Sequence, residues 1–441
     1  MNMAVDLLGV GLGPFNLGLA ALLSKYPQFK SVFVERQNGF SWHQGMLLPG
    51  ATLQVPFLAD LVSMADPTHP MSFLNYLHLN DRLYAFMYLD RSLVFRSEYN
   101  HYCQWVAQQL DNCSFSEELV RISYDKTTEV FRSKTIKDST AKYYDSQNIV
   151  IGIGTRPYIP SCFLKLRHPL ITHSANFLTC WERLVECRNV TIVGGGQSAA
   201  ECVLFLLSKM TPERLVRGDT IRWITRSPGF NPMEFSKLGQ ECFTPAYMSY
   251  FQQLERNVRH SLADSQGQLY KGISFYTIAD IFDKIYEQSV GGGRHCLSLY
   301  SSTAVVDVEL FNKSGVECFG LLVEHRDLKQ KVILETDAVV LATGYKQIWP
   351  EWFESLKKDI LLTDEYGDFI VNDDGSLMFK ENLKGKVFVQ NAEVYHQGVG
   401  SPDLGLAAYR NAIIVNKLLG GKYYYVTPPK KTAFQNFGLV T

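Results

Sequence analysis

The sequence predicts an α/β protein with two dinucleotide-binding, Rossmann-like domains and a smaller, mostly helical region. Three observations support this prediction. Short apolar strands alternate with helical segments, and glycine-rich turns separate strand from helix at two places in the chain. A third apolar strand ends in Ala-Thr-Gly, and glycine at such a position lets the backbone approach a ligand closely.

The first unit occupies the first forty residues. Val5–Val10 is a short apolar strand, a glycine-rich turn follows it, and Ser31–Glu35 is the next strand. The run Leu7–Ser24 is long enough to suggest a transmembrane segment, but its glycines, Pro14 and Asn16 favour a buried strand, turn and helix. The helix is indicated by apolar residues at Leu17, Leu19, Ala20, Leu22 and Leu23.

The second unit begins at strand Asn189–Val193 and passes through three glycines into a helix at Ala199–Met210. Its next strand is Thr220–Thr225, and the stretch Phe230–Glu287 lacks the strand–helix alternation and is predicted to be mostly helical. The later elements are strands at Ala338–Ala342 and Gly385–Asn391 and a final helix at about Leu404–Leu419.

These elements predict a nested domain organisation. The first dinucleotide-binding domain comprises residues 1–165 and returns at 333–441, where it ends in a C-terminal helix. The second dinucleotide-binding domain comprises 166–230 and 275–332, and residues 231–274 form a helical insert.

Composition excludes several classes of protein. The 441 residues include 43 Lys and Arg against 44 Asp and Glu, and the formal net charge of −1 argues against a nucleic-acid partner. Hydrophobic residues make up 46% and charged residues 20%, which is ordinary globular usage. The nine cysteines form no C-x-x-C pair, so neither a dithiol redox centre nor a metal site is predicted. We expect a cytoplasmic protein with reduced thiols and no membrane partner.

The first glycine fingerprint follows an apolar strand and opens a helix. Glycine suits such a turn because the turn is tight, the backbone approaches a pyrophosphate, and the helix packs on the strand. Glu35 ends the next strand, where an acid accepts hydrogen bonds from ribose hydroxyls, so this site favours FAD; a purely structural turn is the alternative. The candidate cofactor residues are Gly9, Gly11, Gly13, Pro14, Phe15, Asn16 and Glu35.

The second fingerprint, a G-x-G-x-x-A string, contributes Gly194, Gly196, Gln197 and Ser198. The strand that follows ends at Arg226 without an acid, and a cation at that position suits the 2′-phosphate of NADPH. Arg222 is a weaker candidate because it lies in the middle of the strand, where a solvent-facing role is expected.

The third signal is the strand that ends at Thr343 and Gly344, which are the remaining candidate cofactor residues. An earlier string with Gly152 and Gly154 is predicted to be the matching crossover between the two domains. Together these features describe a flavoprotein that binds two dinucleotides.

Several longer motifs carry a family resemblance over nearly the whole chain. They are Gly11–Leu17, Phe40–Met46, Leu53–Leu58, Asp66–Thr68, Phe73–Leu77, Gly194–Ser198, Phe243–Pro245 and Leu341–Tyr345. The Pro-x-Asn end of the first fingerprint and the Trp-His-x-Gly-Met string are not general Rossmann features. With these motifs the chain resembles the microbial N-hydroxylating flavin monooxygenases, which include the lysine and ornithine N-hydroxylases of hydroxamate siderophore synthesis.

The resemblance implies a reaction and its cofactors. NADPH reduces FAD, the reduced flavin captures O2 as a C4a-hydroperoxide, and a neutral primary amine takes up the distal oxygen to become a hydroxylamine. No covalent or acid–base protein group is implied, because the flavin carries the chemistry. The resemblance also implies a homodimer or homotetramer.

By the same resemblance, Trp42, His43 and Gln54 line the flavin ring, and Gln54 approaches the nicotinamide as well. The alternatives are a core aromatic residue for Trp42 and a structural histidine for His43. His173 looks like the remnant of a histidine motif of related flavin monooxygenases. The full Baeyer–Villiger string F-x-G-x-x-x-H-x-x-x-W is absent from the sequence, which argues against oxygen insertion into ketones.

One departure from the family pattern bears on the substrate. The amino-acid hydroxylases that this chain resembles carry a lysine that pairs with the substrate α-carboxylate, and Ala59 occupies that position here. A buried carboxylate without its cation loses a charge-assisted pair. Gln240 and Gly405 also depart from the pattern, and Gly405 follows Asp403 and Leu404 at the start of the final helix. The changes predict a decarboxylated amine as substrate: putrescine, cadaverine or histamine.

The substrate alternatives stay open at this point. A distal ammonium held by Asp403 favours a diamine, whereas a plain N-cap role for Asp403 in a wide neutral pocket favours histamine. An L-lysine N6- or L-ornithine N5-monooxygenase would need to hold the carboxylate elsewhere, for example with Lys237 or Arg226. More distant alternatives are a disulfide or ferredoxin reductase, which the lack of paired cysteines disfavours, and a non-enzymatic NADPH-binding sensor.

Overall fold

A computed structural model describes residues 2–293, 295–313, 315–372 and 374–439. The strands are β1 (Met3–Val10), β2 (Ser31–Val34), β3 (Thr52–Pro56), β4 (Leu93–Phe95), β5 (Cys113–Ser114), β6 (Glu117–Asp125), β7 (Val130–Lys137), β8 (Thr140–Ile151), β9 (Arg156–Pro157), β10 (Ile171–His173), β11 (Asn189–Val193), β12 (Thr220–Ile224), β13 (Leu297–Tyr300), β14 (Thr303–Lys313), β15 (Val316–His325), β16 (Gln330–Thr336), β17 (Ala338–Leu341), β18 (Tyr345–Lys346) and β19 (Lys386–Val389).

Helices pack on both of the larger sheets and form most of the stretch Phe230–Glu287. They are α1 (Pro14–Leu23), α2 (Phe73–Leu79), α3 (Leu83–Leu89), α4 (Arg96–Ala107), α5 (Phe177–Glu186), α6 (Gln197–Ser208), α7 (Pro212–Arg217), α8 (Pro245–Gln252), α9 (Arg256–Ser265), α10 (Phe275–Ser289), α11 (Glu351–Ile360), α12 (Val394–Gln397) and α13 (Ala407–Leu419). In the described part of the chain, no helix combines the length and the apolar character that a bilayer crossing requires.

The first sheet places its parallel strands in the order β5-β2-β1-β8-β19. The first half of β8 pairs antiparallel with β7, which pairs with β6, so the sheet continues as a meander on one side. Helix α1 is buried along its whole length because α4 and α13 pack against it on the same face of the sheet. The helix therefore points its N-terminus at the carboxyl edge of the strands, where α/β proteins bind nucleotides.

The second sheet is fully parallel, with the order β10-β17-β11-β12-β13. Helices α5, α6 and α10 cover one face of it through a cluster that includes Phe177, Val203 and Ile281. The antiparallel sheet β14-β15-β16 covers the other face with Phe319 and Leu321. A parallel sheet needs this cover on both faces, because its strands are apolar on both sides.

Two short strands carry the chain between the sheets. Strand β9 leaves the first sheet, β18 returns to it, and the two pair antiparallel, with Arg156 opposite Lys346 and Pro157 opposite Tyr345. The crossover predicted around Gly152 and Gly154 therefore lies where it was expected, and the second nucleotide domain is an insertion within the first.

The predicted domain boundary at residue 333 is displaced. Strand β17 lies between β10 and β11 in the second sheet, so the inserted domain extends to residue 341. The stretch Phe230–Glu287 forms mainly α8, α9 and most of α10, in agreement with the prediction.

Candidate functional site

A cleft of about 590 Å³ runs along the carboxyl edge of the first sheet. It is lined by the first glycine turn, the end of β2, the segment 39–43, the crossover, the loop after β19 and the turn before α13. Its size is in the range of small-molecule sites. The predicted residues that line it are Gly11, Gly13, Pro14, Phe15, Glu35, Trp42, His43 and Leu404.

The first glycine turn has the geometry that a pyrophosphate needs. Gly11 has a φ of +84°, and a Cβ there would lie 2.5 Å from the carbonyl oxygen of Gly152. A Cβ on Gly13 would meet nothing within 4 Å, so the space in front of α1 is open. No side chain caps the first turn of α1, and its N–H groups are available to an anion.

Two residues of the first fingerprint have structural roles and do not line the cleft. A Cβ on Gly9 would lie 2.0 Å from the ring of Phe33, so Gly9 serves the packing of β1 on β2. Asn16 is fully buried, and its Nδ2 donates to the carbonyl oxygens of Gly11 (2.8 Å) and Val10 (3.3 Å). Asn16 thus holds the glycine turn in shape.

Glu35 joins the strand end to the glycine turn. Its Oε2 accepts the N–H of Leu12 at 2.9 Å and its Oε1 accepts the N–H of Gln37 at 2.9 Å. Each carboxylate oxygen has a second lone pair for a ribose hydroxyl. The glycine turn, the open helix N-terminus and this carboxylate together fit the ADP half of FAD.

Trp42 and His43 form the aromatic wall of the cleft. Their rings lie 4.4 Å apart with an interplanar angle of 71°, and the backbone N–H of Trp42 donates to Asn100 Oδ1 at 2.9 Å. His43 adopts a left-handed backbone with φ of +51°, which is uncommon outside glycine. Burial, assisted by the positive charge of Arg96, lowers the pKa of His43 to about 4, so the ring is neutral at physiological pH.

The turn before α13 forms the far end of the cleft. Asp403 caps it, with Oδ1 accepting the N–H of Gly405 at 2.7 Å, and Leu404 lines the cleft. Among the described residues, no group donates to the other oxygen of Asp403. Burial raises the pKa of Asp403 from 3.8 to about 6, although the bond from Gly405 opposes this rise. The residue is both the N-cap acid and a carboxylate with one unused oxygen.

Gln54 and Ala59 lie on the segment beside this turn. Gln54 is half-buried on β3, which packs against the 3₁₀ turn Leu404–Leu406, and its Nε2 is 3.5 Å from the carbonyl oxygen of Thr52. Ala59 is 6% exposed, and its N–H donates to Pro56 O at 2.9 Å. Asp60, next along the chain, accepts four hydrogen bonds from Val62, Ser63 and Phe73 and fixes the loop.

Gln240 lies in a turn that contacts the loop before Asp403, but its side chain does not point to that loop. A Cβ on Gly400 would lie 3.6 Å from Phe243 Cα, so the 3₁₀ turn Gly239–Phe243 abuts the loop that precedes Asp403. The amide of Gln240 donates to the carbonyl oxygen of Glu234 at 2.9 Å and holds its own loop together.

The second glycine turn fits a second dinucleotide. Gly194 has a φ of +146°, and a Cβ there would lie 2.0 Å from the carbonyl oxygen of Ala342. Gly196 directly precedes α6, no side chain caps the helix, and Ser198 lies in its first turn. The side chain of Gln197 is committed to protein partners, which are Glu201, Thr277 and the N–H of Ser274.

Cations lie at the end of β12, as expected for a 2′-phosphate. Arg226 is exposed there, and no ion pair involves its guanidinium within the described ranges. Arg326 reaches the same place, and its Nη1 donates to the carbonyl oxygen of Arg226 at 3.3 Å. Arg222 is half-buried, and it donates to the carbonyl oxygen of Glu335.

The Ala-Thr-Gly string contacts the crossover segment and does not line the cleft. Thr343 Oγ1 donates to the carbonyl oxygen of Tyr158, whose N–H donates to Gly344 O at 2.9 Å. His173 Nε2 also donates to Gly344 O at 3.1 Å. Thr343, Gly344 and His173 therefore fix the hinge between the domains, and the next residue, Tyr345, lines the cleft.

Three groups at the site were missed by sequence reasoning. Gln390 and Asn391 line the cleft directly after β19, and the left-handed φ of +63° at Asn391 is a signal that only coordinates reveal. Glu393 and Arg410 form a buried ion pair, and Arg410 Nη1 donates to the carbonyl oxygen of Ser401 at 2.9 Å. This pair holds the loop after β19 against the start of α13.

The third missed group is an ion pair between the domains. Arg96, at the start of α4, bonds Glu201 on α6 through two N–H···O contacts of 2.7 Å. The two side chains are 13% and 6% exposed. No local motif marks them, because their positions are far apart in the sequence.

Comparison with known proteins agrees with this geometry. Residues 3–347 match the model of a family described as L-lysine 6-monooxygenase/L-ornithine 5-monooxygenase. The chain is 51% identical to the rhizobactin siderophore biosynthesis protein RhbE of Rhizobium meliloti, over 98% of this chain and 95% of that protein. It is 36% identical to putrescine N-hydroxylase of Shewanella oneidensis, over 98% of this chain and 84% of that protein.

A solved structure matches over the full length of both chains. It is the desferrioxamine-pathway cadaverine monooxygenase DfoA of Erwinia amylovora bound to FAD, with a TM-score of 0.92, 34% identity and 100% coverage of each chain. The family resemblance and the α/β fold predicted from the sequence are thereby confirmed. The chain belongs to the L-lysine 6-monooxygenase/L-ornithine 5-monooxygenase family, and it is an FAD- and NADPH-dependent N-hydroxylating monooxygenase.

Proposed function

We propose that this enzyme hydroxylates one primary amine of a small aliphatic diamine, such as putrescine or cadaverine, in siderophore biosynthesis. The relatives named for diamines, at 34–36% identity over at least 98% of this chain, support the proposal, and so does the relative named for rhizobactin biosynthesis. Histamine remains a candidate for the same pocket, since it also lacks a carboxylate.

Ala59 is the observation that carries the proposal. By resemblance it stands where amino-acid hydroxylases of the family carry the lysine that pairs with the α-carboxylate. The position is buried, so a substrate carboxylate there would lose its water without gaining a cation. A diamine brings no carboxylate and avoids this cost.

Asp403 supports a diamine over histamine. One of its oxygens caps the turn, and the other has no donor among the described residues, while Leu404 beside it faces the cleft. A second ammonium at this place would stabilise the carboxylate and lower its pKa from about 6. The aliphatic chain would then direct the other amine along the cleft.

The cofactors and the residues around them have separate roles in the proposed reaction. When bound, FAD supplies the redox chemistry with hydride from NADPH and oxygen from O2. Trp42 and His43 provide an aromatic wall, and His43 adds no positive charge near the reacting amine because its ring is neutral. Glu35 and the open end of α1 would hold the ribose and the pyrophosphate of FAD.

An L-lysine or L-ornithine hydroxylase is the second candidate, because the matching family model carries those two activities in its description. The predicted carboxylate anchors do not favour it. Arg226 lies at the end of β12 in the inserted domain, and Lys237 is exposed on the loop before the turn Gly239–Phe243.

Mass spectrometry of the hydroxylamine product tests the proposal. The panel is putrescine, cadaverine, histamine, L-lysine and L-ornithine, each with NADPH and FAD. We expect product from the diamines, and we expect Ala59→Lys to gain turnover of lysine or ornithine. Ala59→Met is the matched control, since it fills similar space without charge. Equal turnover of amino acids by the unmutated enzyme would refute the proposal.

We further propose a homodimer or homotetramer. Two surface helices expose aromatic side chains, with Tyr84 and Tyr88 of α3 at 77% and 80% exposure and Phe275 of α10 at 71%. Exposed apolar patches of this kind favour association. Light scattering after gel filtration tests this, and a monomer at micromolar concentration would refute it. The cytoplasmic location stays a prediction.

A further inference from the structure

One guanidinium contacts both halves of the molecule. Arg96 Nη1 donates to the carbonyl oxygen of Met46 at 3.3 Å, and Met46 ends the 3₁₀ turn that follows His43. The same guanidinium bonds both oxygens of Glu201 on α6. Burial is the main cause of the lowered pKa of His43, and the positive charge of Arg96 is the second cause. Arg96 therefore connects the aromatic wall of the FAD cleft to a helix of the NADPH domain.

The connection continues to the second fingerprint. Glu201 Oε1 accepts from Gln197 Nε2 at 2.9 Å, and Gln197 is the first residue of α6. Gln197 Oε1 in turn accepts the N–H of Ser274 at 2.7 Å, which anchors the start of α10. A continuous chain of bonds thus runs from the turn at His43 to the helix N-terminus that faces the second dinucleotide.

The packing around this chain shows that it lies on the domain interface. A Cβ on Gly45 would lie 1.9 Å from the carbonyl oxygen of Ala175, so the turn that holds Gly45 touches the start of the inserted domain. Met46 and Leu48 are buried in the hydrophobic cluster of that domain, with Phe177 and Ala199. The ion pair therefore fixes the relative position of two surfaces that are already in contact.

We propose that the Arg96–Glu201 pair positions the NADPH domain against the flavin site and thereby sets the rate of hydride transfer. Both residues are positioning residues, because neither lines the FAD cleft. Hydride transfer is sensitive to geometry, and a displacement of about 1 Å at a reacting centre costs on the order of 100-fold in rate. Dinucleotide affinity depends on the inserted domain itself and is expected to change less.

Anaerobic stopped-flow measurement of flavin reduction by saturating NADPH tests the proposal without any amine, so the result does not depend on the identity of the substrate. In Glu201→Gln, which keeps the side-chain size, we expect reduction to slow by about 10- to 100-fold. Arg82→Gln is the matched control. Arg82 bonds Glu98 of the same helix α4 at 2.7 Å, but that pair stays within the FAD domain.

A second measurement reports on the domains rather than on turnover. Amide hydrogen exchange of β9 and β18 is expected to accelerate in Glu201→Gln and to stay unchanged in Arg82→Gln, because the first variant releases one tether of the hinge. Unchanged exchange together with an unchanged reduction rate would refute the proposal.

The double variant Arg96→Gln/Glu201→Gln separates positioning from stability. A single variant leaves one buried charge without its partner and lowers Tm, whereas the double variant leaves none and is expected to regain Tm. The reduction rate is expected to stay low in the double variant. If the rate recovers together with Tm, the pair is only structural and the proposal fails. If Arg96→Gln alone does not fold, the reduction rates and Tm values of Glu201→Gln and of the double variant still test the proposal.

Discussion

Replacing Asp403 by asparagine removes one charge from the turn whose Leu404 lines the far end of the cleft, and it keeps the cap. Asparagine Oδ1 accepts the N–H of Gly405 as aspartate does, so the turn before α13 is preserved. We expect kcat/KM for the preferred diamine to fall, while kcat/KM for the monoamine of equal chain length stays unchanged. The monoamine has no second ammonium to lose.

The magnitude follows from the bond that is lost. A hydrogen bond to a charged group contributes about 1.5–3 kcal/mol. At about 1.4 kcal/mol for each factor of ten, the diamine should lose roughly 10- to 150-fold in kcat/KM. Asp66→Asn is the matched control, because Asp66 accepts the N–H of Thr68 in a similar local turn but pairs with Lys25 away from the cleft.

The pH dependence gives a second, independent signature. The pKa of Asp403 is about 6 in the free enzyme, so the carboxylate protonates as the pH falls through that value. The preference for diamine over monoamine should therefore decline below about pH 6 in the unmutated enzyme and be absent at every pH in Asp403→Asn. Hydroxylamine formation with paired diamine and monoamine substrates from pH 5.5 to 8.5 measures both ratios.

The stability of Asp403→Asn should change in the direction opposite to its activity, because the substitution lowers kcat/KM for the diamine but stabilises the fold. Because the pKa is raised from 3.8 to about 6, the folded state binds the proton more tightly, and stability falls as the pH rises through this interval. Removing the ionised carboxylate should raise the free energy of unfolding by up to about 3 kcal/mol at pH 8 and by little at pH 4. A diamine preference that survives in Asp403→Asn would show that Asp403 is a cap and nothing more.

Three further predictions follow from the site. Glu35→Gln should weaken FAD binding by about tenfold, as measured by fluorescence of released flavin, since a neutral acceptor replaces a charged one; unchanged retention would contradict the ribose role. Arg226→Gln should raise the Kd for NADPH by about 10- to 100-fold and leave NADH unaffected, and equal weakening of both would reject the phosphate contact. Glu393→Gln should destabilise the fold by about 3–5 kcal/mol in denaturant unfolding, because Arg410 would remain buried without its partner; a loss below 1 kcal/mol would argue against a dry ion pair.

The fold was predictable where the signal is local. The glycine turns at Gly11 and Gly194 and the strands Val5–Val10 and Asn189–Val193 lie where periodicity and turn chemistry indicated. Strand β17 was assigned to the wrong domain, because an apolar strand carries no mark of its neighbours. Its place between β10 and β11 depends on pairing with chain segments about 150 residues away.

Residue roles were harder to predict than residue positions. Gln197 and Thr343 belong to recognisable motifs, yet their side chains bond to Glu201 and to the carbonyl oxygen of Tyr158. Gly9 packs on Phe33 instead of facing the cleft. A motif marks where the backbone must approach a ligand, but the direction of each side chain is decided by tertiary packing. How far the predicted substrate residues act on the amine stays a prediction.

The nested chain path has a consequence for the order in which the protein forms during synthesis. The sheet of the inserted domain is complete once β17 has emerged from the ribosome, because its other strands precede it. The first sheet must wait for β19, and helix α1 must wait for Asn411, whose Nδ2 donates to the carbonyl oxygen of Phe15 at 2.9 Å. The NADPH domain can thus fold while the chain is still growing, whereas the flavin pocket closes only near the end of translation.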